Sequence, residues 1–445
     1  MTELFDVIIV GGGPAGLAAG LYAARMDLRT VLVDRGPLGG QLHNTELIED
    51  YPGIETILGP ELALKMGDHA RKFGLDAREY DPVTSVDVDG EERVVKLDSG
   101  NELRAPAVIM AAGGLPKKLE VPGEIELAGR GVSYCAVCDG AFFKNEVLAV
   151  VGGGDAALEE GDFLTRYASR VHIIHRRDQF RAQPILQDRL LGMEKVTAVT
   201  PATVKEIGGD TQVRWMDLDR EGTIERVPVG GVFVFIGFKP VGRHLFAEHI
   251  DHDENGYLLT DQYMRTNIPG VYACGDTRAQ LAKQITTAVG DATTAVLHAE
   301  RYIEELKHMR RSFPEATSEV LEREVERMTL KRYLAGQTIM REGDPADSFM
   351  ILTRGAASVR QNGPNGEREI SALAPGDYFG EIGLLSGTVR NATVRATAPT
   401  EVLELDAASF RDLVESSTET KERLQTSMEQ RLAKSAEKTA QKTGA

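Results

Sequence analysis

The chain has 445 residues, a net charge of −17 and a pI of about 5.1. That length suits two or three domains of about 100–200 residues, and the acidic balance argues against nucleic acid, whose phosphates need a basic face. No apolar run approaches the roughly 20 residues that span a bilayer, so neither nucleic acid nor a membrane is an expected partner.

The sequence opens Met1-Thr2-Glu3 with no secretory signal and goes straight into an apolar run, so the expected compartment is the cytoplasm. Phe5-Asp6-Val7-Ile8-Ile9-Val10 reads as a buried parallel strand. It enters Gly11-Gly12-Gly13-Pro14-Ala15-Gly16, a G-x-G-x-x-G loop, and then a helix over 17–26. Glycines there let the backbone turn tightly and approach a pyrophosphate seated on the helix N-terminus. A second strand, Thr30–Val33, ends at Asp34. Its distance from Gly11 is that at which a carboxylate reaches a ribose hydroxyl. The segments Gly39–Leu42 and Glu49–Gly53 read as loops, 61–73 as an amphipathic helix and 83–98 as strands turning at Asp89-Gly90. Val108–Gly114 reads as a strand ending in small residues.

Beyond Pro116 and Pro122 lies Cys135-Ala136-Val137-Cys138-Asp139. Two thiols at this spacing can close a small disulfide ring and exchange it with another dithiol. Zinc would need further ligands, yet the only other cysteine is Cys274 and the nine histidines form no H-x-x-x-H pair. Cys274 reads as a small buried residue.

A second nucleotide unit follows. Val147–Val151 leads into Gly152-Gly153-Gly154-Asp155-Ala156-Ala157, and the next strand ends at His175, as far from Gly152 as Asp34 is from Gly11. No acid stands there. Arg176, Arg177 and Arg181 follow instead, a guanidinium cluster that favours the 2′-phosphate of NADP over NAD. Residues 211–236 read as strands, with Trp215 expected in the core, and a helix is expected from about Lys283 to Leu306.

Through these motifs, with Tyr51-Pro52-Gly53, Gly275-Asp276 and Lys283-Gln284, residues 1 to about 308 resemble the bacterial low-molecular-weight thioredoxin reductases. The resemblance implies an α/β fold of two Rossmann-like dinucleotide-binding domains. An FAD domain is made discontinuous (1–115 and 243–308) by an inserted NADPH domain (116–242) that carries the cysteines. It implies FAD contacts at Gly11, Gly13, Pro14, Ala15, Gly16, Asp34, Arg35, Gly40, Gln41, Leu42, Asp50, Ala112, Gly113, Gly275, Asp276, Lys283, Gln284 and Ile285. NADPH is expected at Gly152, Gly154, Asp155, Ala156, His175, Arg176, Arg177 and Arg181. Cys138 is expected against the flavin, Cys135 as the thiol that attacks thioredoxin or a thioredoxin-like protein, and Asp139 as acid/base. A homodimer is a further implication. The chain departs from the usual residues at Asp50, Ala112, Ala156 and Lys283, and none of these removes a chemically required group.

Residues 309–327 read as a charged helical linker interrupted by Pro314, and from Tyr333 short strands alternate with glycine turns, as in a small β-barrel or jelly roll. Tyr378-Phe379-Gly380-Glu381-Ile382-Gly383 then places a glycine before a short helix, with Arg390-Asn391 nine residues after the glutamate. This region resembles the β-roll cyclic nucleotide-binding domain of bacterial regulators and eukaryotic kinases, expected over 328–434. The resemblance implies that Glu381 takes a ribose 2′-hydroxyl and Arg390 the cyclic phosphate of cyclic AMP or cyclic GMP, with Phe379, Gly380, Ile382 and Asn391 beside them. Residues 435–445, rich in Lys, Ala and Thr, are expected to be disordered. The other readings are reduction of another dithiol or low-molecular-weight disulfide, and a redox-sensing scaffold with little turnover.

Overall fold

The computed structural model describes residues 2–45, 47–246, 250–363 and 366–443. Among them no helix is long and apolar enough to cross a membrane. The chain forms two compact units, one running to Asp87 and again over Val94–Val296, the other made of Val88–Arg93 and the chain from Leu297 onward.

The first unit holds two parallel five-stranded sheets. In one, β1 (Val7–Val10) lies between β2 (Thr30–Val33) and Ala107–Met110, with Asp76–Arg78 and Val271–Ala273 at the edges. These central strands are buried along their whole length, as their unbroken Val/Ile/Leu runs require of a sheet covered on both faces. The strand Val271–Ala273 joins Ala107–Met110 only after a long stretch of intervening chain, so this domain is discontinuous.

That intervening chain builds the second sheet, in the order Val132–Ser133, Gly231–Val234, Val147–Val151, Arg170–Ile174 and Val196–Val199. Its side chains alternate between two cores. Ala149, Val151, Val232 and Val234 face one, while Leu148, Val150 and Phe233 face the other, as a strand's period of two dictates. The two crossings between the halves pair with each other. Gly114–Pro116 and Phe238–Pro240 form an antiparallel ribbon, continued by the Lys117 amide donating to the Gly237 carbonyl. Trp215, expected in the core, is only half-buried and lies under the Arg226 guanidinium, 3.4 Å from the ring centroid.

The second unit is a roll of two four-stranded antiparallel sheets. One takes the order Thr329–Tyr333, Thr400–Asp406, Ser348–Arg354, Tyr378–Phe379, and the other Thr338–Met340, Thr393–Ala396, Ala357–Gly363, Gly366–Leu373. Met350, Leu352, Phe379 and Val402 of the first meet Met340, Ala357, Leu373 and Val394 of the second in a shared core.

Three helical expectations differ from the structure. The helix expected to end at Leu306 runs over Ile285–Ser312. The charged segment 309–327 is no free linker, because Ser318–Arg327 buries Leu321 and Val325, and its Glu322 forms a buried pair with Arg93, joined by the Tyr302 hydroxyl at 3.1 Å. The segment expected to be disordered from 435 is helical as far as Thr443, within a helix that begins at Thr418, and residues 444–445 lie outside the described residues. Ala, Lys, Glu and Gln are among the strongest helix formers, which composition read as polarity alone overlooks.

Candidate active site and nucleotide pocket

In the first cradle, β1 delivers the chain into Gly11, at φ +109, where a Cβ would stand 2.4 Å from the Ala111 carbonyl oxygen. A Cβ on Gly16 would stand 1.8 Å from the Gly11 oxygen, so only glycine lets the helix Pro14–Arg25 pack this closely on the loop. Gly13 is different. Among the described residues, nothing lies within 4 Å of a Cβ placed there, and the helix it caps has no side-chain cap. The open space and uncapped helix fit a pyrophosphate. Asp34 accepts from the Gly12 amide at 2.5 Å and the Gly36 amide at 2.7 Å, holding the loop, while Arg35 is exposed. Gly40, Gln41 and Leu42 lie on the short helix Gly40–Asn44, where Gln41 donates to the Gly114 carbonyl and accepts from Asn44 at 2.8 Å. Ala112 and Gly113 follow the strand Ala107–Met110, and Gly113 sits at φ +61 with open space beside its Cα. Asp50 is exposed on the loop after Glu49.

The far wall comes from the second part of this domain. Gly275 accepts no Cβ, since Ala15 lies 2.9 Å away, and its amide donates to Asp291. Burial raises the Asp276 carboxyl and lowers the neighbouring Lys283 ammonium, which donates to the Asp276 and Arg278 carbonyls and sits 4.0 Å from the Tyr257 ring centroid. Gln284 precedes the helix that begins at Ile285, and Ile285 packs against the cluster around Leu42.

The second cradle repeats the design. A Cβ on Gly152 would stand 2.3 Å from the Phe235 oxygen, Gly154 is open, and the helix Asp155–Leu164 has no side-chain cap. Asp155 fastens the Gln183 amide at 2.7 Å, and Ala156 is exposed beside it. His175 is buried beneath Gly153 and stacked on Phe180, and its Nε2 meets no partner among the described residues. Burial, and then Arg181, Arg177 and Arg176, hold its imidazole below the ordinary value. The three arginines are exposed, and the Arg181 and Ala182 amides donate to the Gly153 carbonyl, so the basic turn is tied to the glycine loop. Open Gly154 with this basic turn suits a phosphorylated dinucleotide.

Between the two cradles in sequence, Cys135 and Cys138 form a disulfide. Cys135 caps the short helix Ala136–Asp139, its Sγ accepting from the Cys138 amide at 3.1 Å. Cys138 is exposed, with its Sγ 3.8 Å from Asn44 Oδ1 on the helix Gly40–Asn44, and Asp139 is half-buried. Asn44 belongs to no motif, and only the fold brings it there. Cys274 is buried and free, as expected.

Residues 5–292 match the pyridine nucleotide-disulphide oxidoreductase family. The thioredoxin reductases of Listeria innocua and Bacillus subtilis are each 48% identical over 309 residues, covering 68% of this chain and 96% of those proteins. The chain belongs to the thioredoxin reductase family. Solved structures agree. The Lactococcus lactis thioredoxin reductase in its FR conformation is 42% identical with a TM-score of 0.65, and that of T. acidophilum is 32% identical at 0.64. Each covers 67% of this chain and 98–99% of the solved chain. Membership in this family implies FAD and NADPH, which the two cradles fit.

The second unit of this reductase holds a separate cluster of buried charged residues. Gly380, at φ +89, precedes the helix Glu381–Ser386. Glu381 is 1% exposed and accepts from Arg431 at 2.8 Å, and burial pushes its carboxyl up against the pull of Arg431 and Arg390. Arg390, also buried, donates to the Gly380 carbonyl at 3.0 Å, to Asp347 at 2.9 Å and to the Ser348 hydroxyl at 3.1 Å. Phe379 precedes Gly380 and Ile382 follows Glu381 along the chain, and the Asn391 carbonyl accepts from Gln361. The structure therefore places Glu381 and Arg390 near each other, but each is already paired. Sequence reading missed both partners, since Asp347 and Arg431 lie far along the chain from the groups they hold. Residues 330–417 match the cyclic nucleotide-binding domain.

Proposed function

We propose that the reductase passes electrons from NADPH through FAD and Cys135–Cys138 to thioredoxin, and that its second unit binds a cyclic nucleotide. The observation that carries the first part is the Cys135–Cys138 disulfide, with Cys138 beside Asn44 of the short helix that follows the first cradle. Bound FAD supplies the exchange between a hydride and a thiol-directed electron pair. The chain's own groups do the rest. Reduction breaks the Cys135–Cys138 bond with two electrons and two protons, and the Cys138 amide steadies charge on the Cys135 sulfur. Cys135 thiolate attacks the partner's disulfide to give a mixed disulfide. Cys138 then displaces the partner, re-forming the ring and releasing a dithiol. Asp139 gives the departing thiolate its proton. Disulfide and nicotinamide must occupy the flavin in turn, and the ribbon of Gly114–Pro116 and Phe238–Pro240 is the hinge about which the NADPH half rotates. The cytoplasm is the compartment where a lone C-x-x-C is catalytic, and the assembly implied by the family is a homodimer.

The test is NADPH oxidation with thioredoxin. Wild type turns over, whereas Cys135→Ser and Cys138→Ser leave a flavin that NADPH still bleaches but transfer nothing to thioredoxin. Either variant turning over thioredoxin removes the disulfide from the route.

The cyclic nucleotide reading rests on Glu381 and Arg390, both buried beside Gly380. Calorimetric titration with cyclic AMP and cyclic GMP tests it, and absence of heat with both makes the domain a ligandless structural copy.

A further inference from the structure

Glu124 stands outside every motif of the site. Its side chain is fully buried, and three donors converge on it. Oε1 accepts from the Leu119 amide at 2.8 Å and from the Tyr134 hydroxyl at 2.7 Å, while Oε2 accepts from the Glu120 amide at 2.7 Å. The two amides lie at the exit of the ribbon, just after Pro116. Glu120 is held there at φ +60, a left-handed conformation that a side chain rarely adopts unaided. The third donor, Tyr134, is bonded directly to Cys135 and packs its ring on the core of the NADPH half.

The surroundings fix both ends of this contact. Beyond the amides, the Ile207 amide donates to the Pro122 carbonyl, and a Cβ on Gly123 would stand 1.7 Å from the Ile207 oxygen, so the segment is pressed against the strand Thr203–Gly208. On the cysteine side, the Ser133 hydroxyl bonds both the amide and the carbonyl of Cys135 at 3.1 Å. One carboxylate thus joins the hinge exit to the flank of the redox ring. Burial, and then Glu124, raise the Tyr134 phenol well above its ordinary value, which keeps the hydroxyl a donor.

We propose that Glu124 is a positioning residue of the reductase: through Tyr134 it locks the Cys135–Cys138 ring to the exit of the hinge ribbon, so that the ring reaches the flavin in register when the NADPH half turns. The proposal rests on the reductase reading. A neutral amide in place of the carboxylate cannot accept from all three donors, because its nitrogen must face one of them. The ring then keeps its chemistry and loses its fixed approach, and a displacement of about 1 Å costs on the order of 100-fold in a step that depends on alignment.

The experiment uses the full-length holoenzyme. In stopped flow, Glu124→Gln reduces its flavin with NADPH at the wild-type rate within about twofold. Electron transfer from flavin to disulfide falls roughly 10- to 100-fold. Tyr134→Phe, which deletes one donor, falls in the same direction by less. The double variant loses less than the two single losses together, because both changes act on one hydrogen-bonded cluster. Amide exchange in Glu124→Gln accelerates at Leu119 and Glu120 together with 134–138, a readout independent of turnover. Equal losses in both half-reactions make Glu124 merely structural and overturn the proposal, as does an unaltered disulfide step. Should Glu124→Gln fail to retain flavin, Tyr134→Phe decides by the same two rates. Absence of thioredoxin turnover in wild type defeats the reductase reading instead.

Discussion

Glu79 carries no motif, yet it holds the entry to the loop at Gly39 and Gly40. Its carboxylate accepts from the Leu38 amide at 2.9 Å and from Arg71 at 2.8 Å, immediately before Gly39 and Gly40. The Leu38 bond, and then Arg71, hold its pKa below the ordinary 4.5. A depressed carboxyl contributes stability that is complete above 4.5 and is lost as pH falls through the lower folded value. We expect FAD to be released on acidification below that point, and Glu79→Gln to release it more readily at neutral pH. Flavin fluorescence against pH measures this, and superimposable curves for the two proteins count against the role. At this scale, glycines were readable because their spacing has one structural meaning, and Gly11 and Gly16 are indeed sterically obligatory. Asn44, Glu79 and Asp347 were not readable, since a single polar residue acquires a role only from what the fold sets beside it.

Among the elements, the C-terminal helix from Thr418 illustrates the same limit. Arg423, Ser427 and Arg431 recur at one-turn intervals and so share one face. Arg423 donates to the Ser312 carbonyl and pairs with Glu315. Ser427 accepts from the Tyr378 hydroxyl at 3.1 Å, and Arg431 reaches the Tyr378 carbonyl and Glu381. The helix is thereby fastened to Glu381 and to the end of the helix Ile285–Ser312. Removing the cation from a buried carboxylate costs about 1–3 kcal/mol. Arg431→Ala should lower the urea midpoint of the second unit accordingly and tighten cyclic nucleotide binding, because a ribose hydroxyl no longer displaces a guanidinium. Arg390→Ala should lose most of that affinity, of order 2–5 kcal/mol. Equal affinity in wild type and Arg431→Ala would mean that the helix does not compete. Strands and their glycine turns were legible from period and composition. The packed helix Ser318–Arg327 was not, because its buried Glu322 and Glu324 look like surface charge until their arginine partners are known.

For the molecule as a whole, one 28-residue helix, Ile285–Ser312, begins in the first unit, next to Gln284 in sequence, and ends in the second. A ligand alters turnover only if it distinguishes two states of the unit it binds. We expect saturating cyclic nucleotide to change thioredoxin-dependent NADPH oxidation, and heat of binding with no change in rate would confine the domain to binding. The order of domains in the sequence was legible through two glycine loops and a cysteine pair. The pairing of Val271–Ala273 with Ala107–Met110 came from resemblance alone, since nothing local in so short a strand announces a partner so distant. That pairing also governs biosynthesis. At about 5–20 residues per second, Ala273 leaves the ribosome roughly 10–30 s after Met110. The second sheet, built from residues 132–234, is complete in sequence well before then. A nascent chain that has emerged as far as residue 250 therefore carries every strand of the second sheet, while the first still exposes the unpaired edge of Ala107–Met110 until Val271–Ala273 joins it.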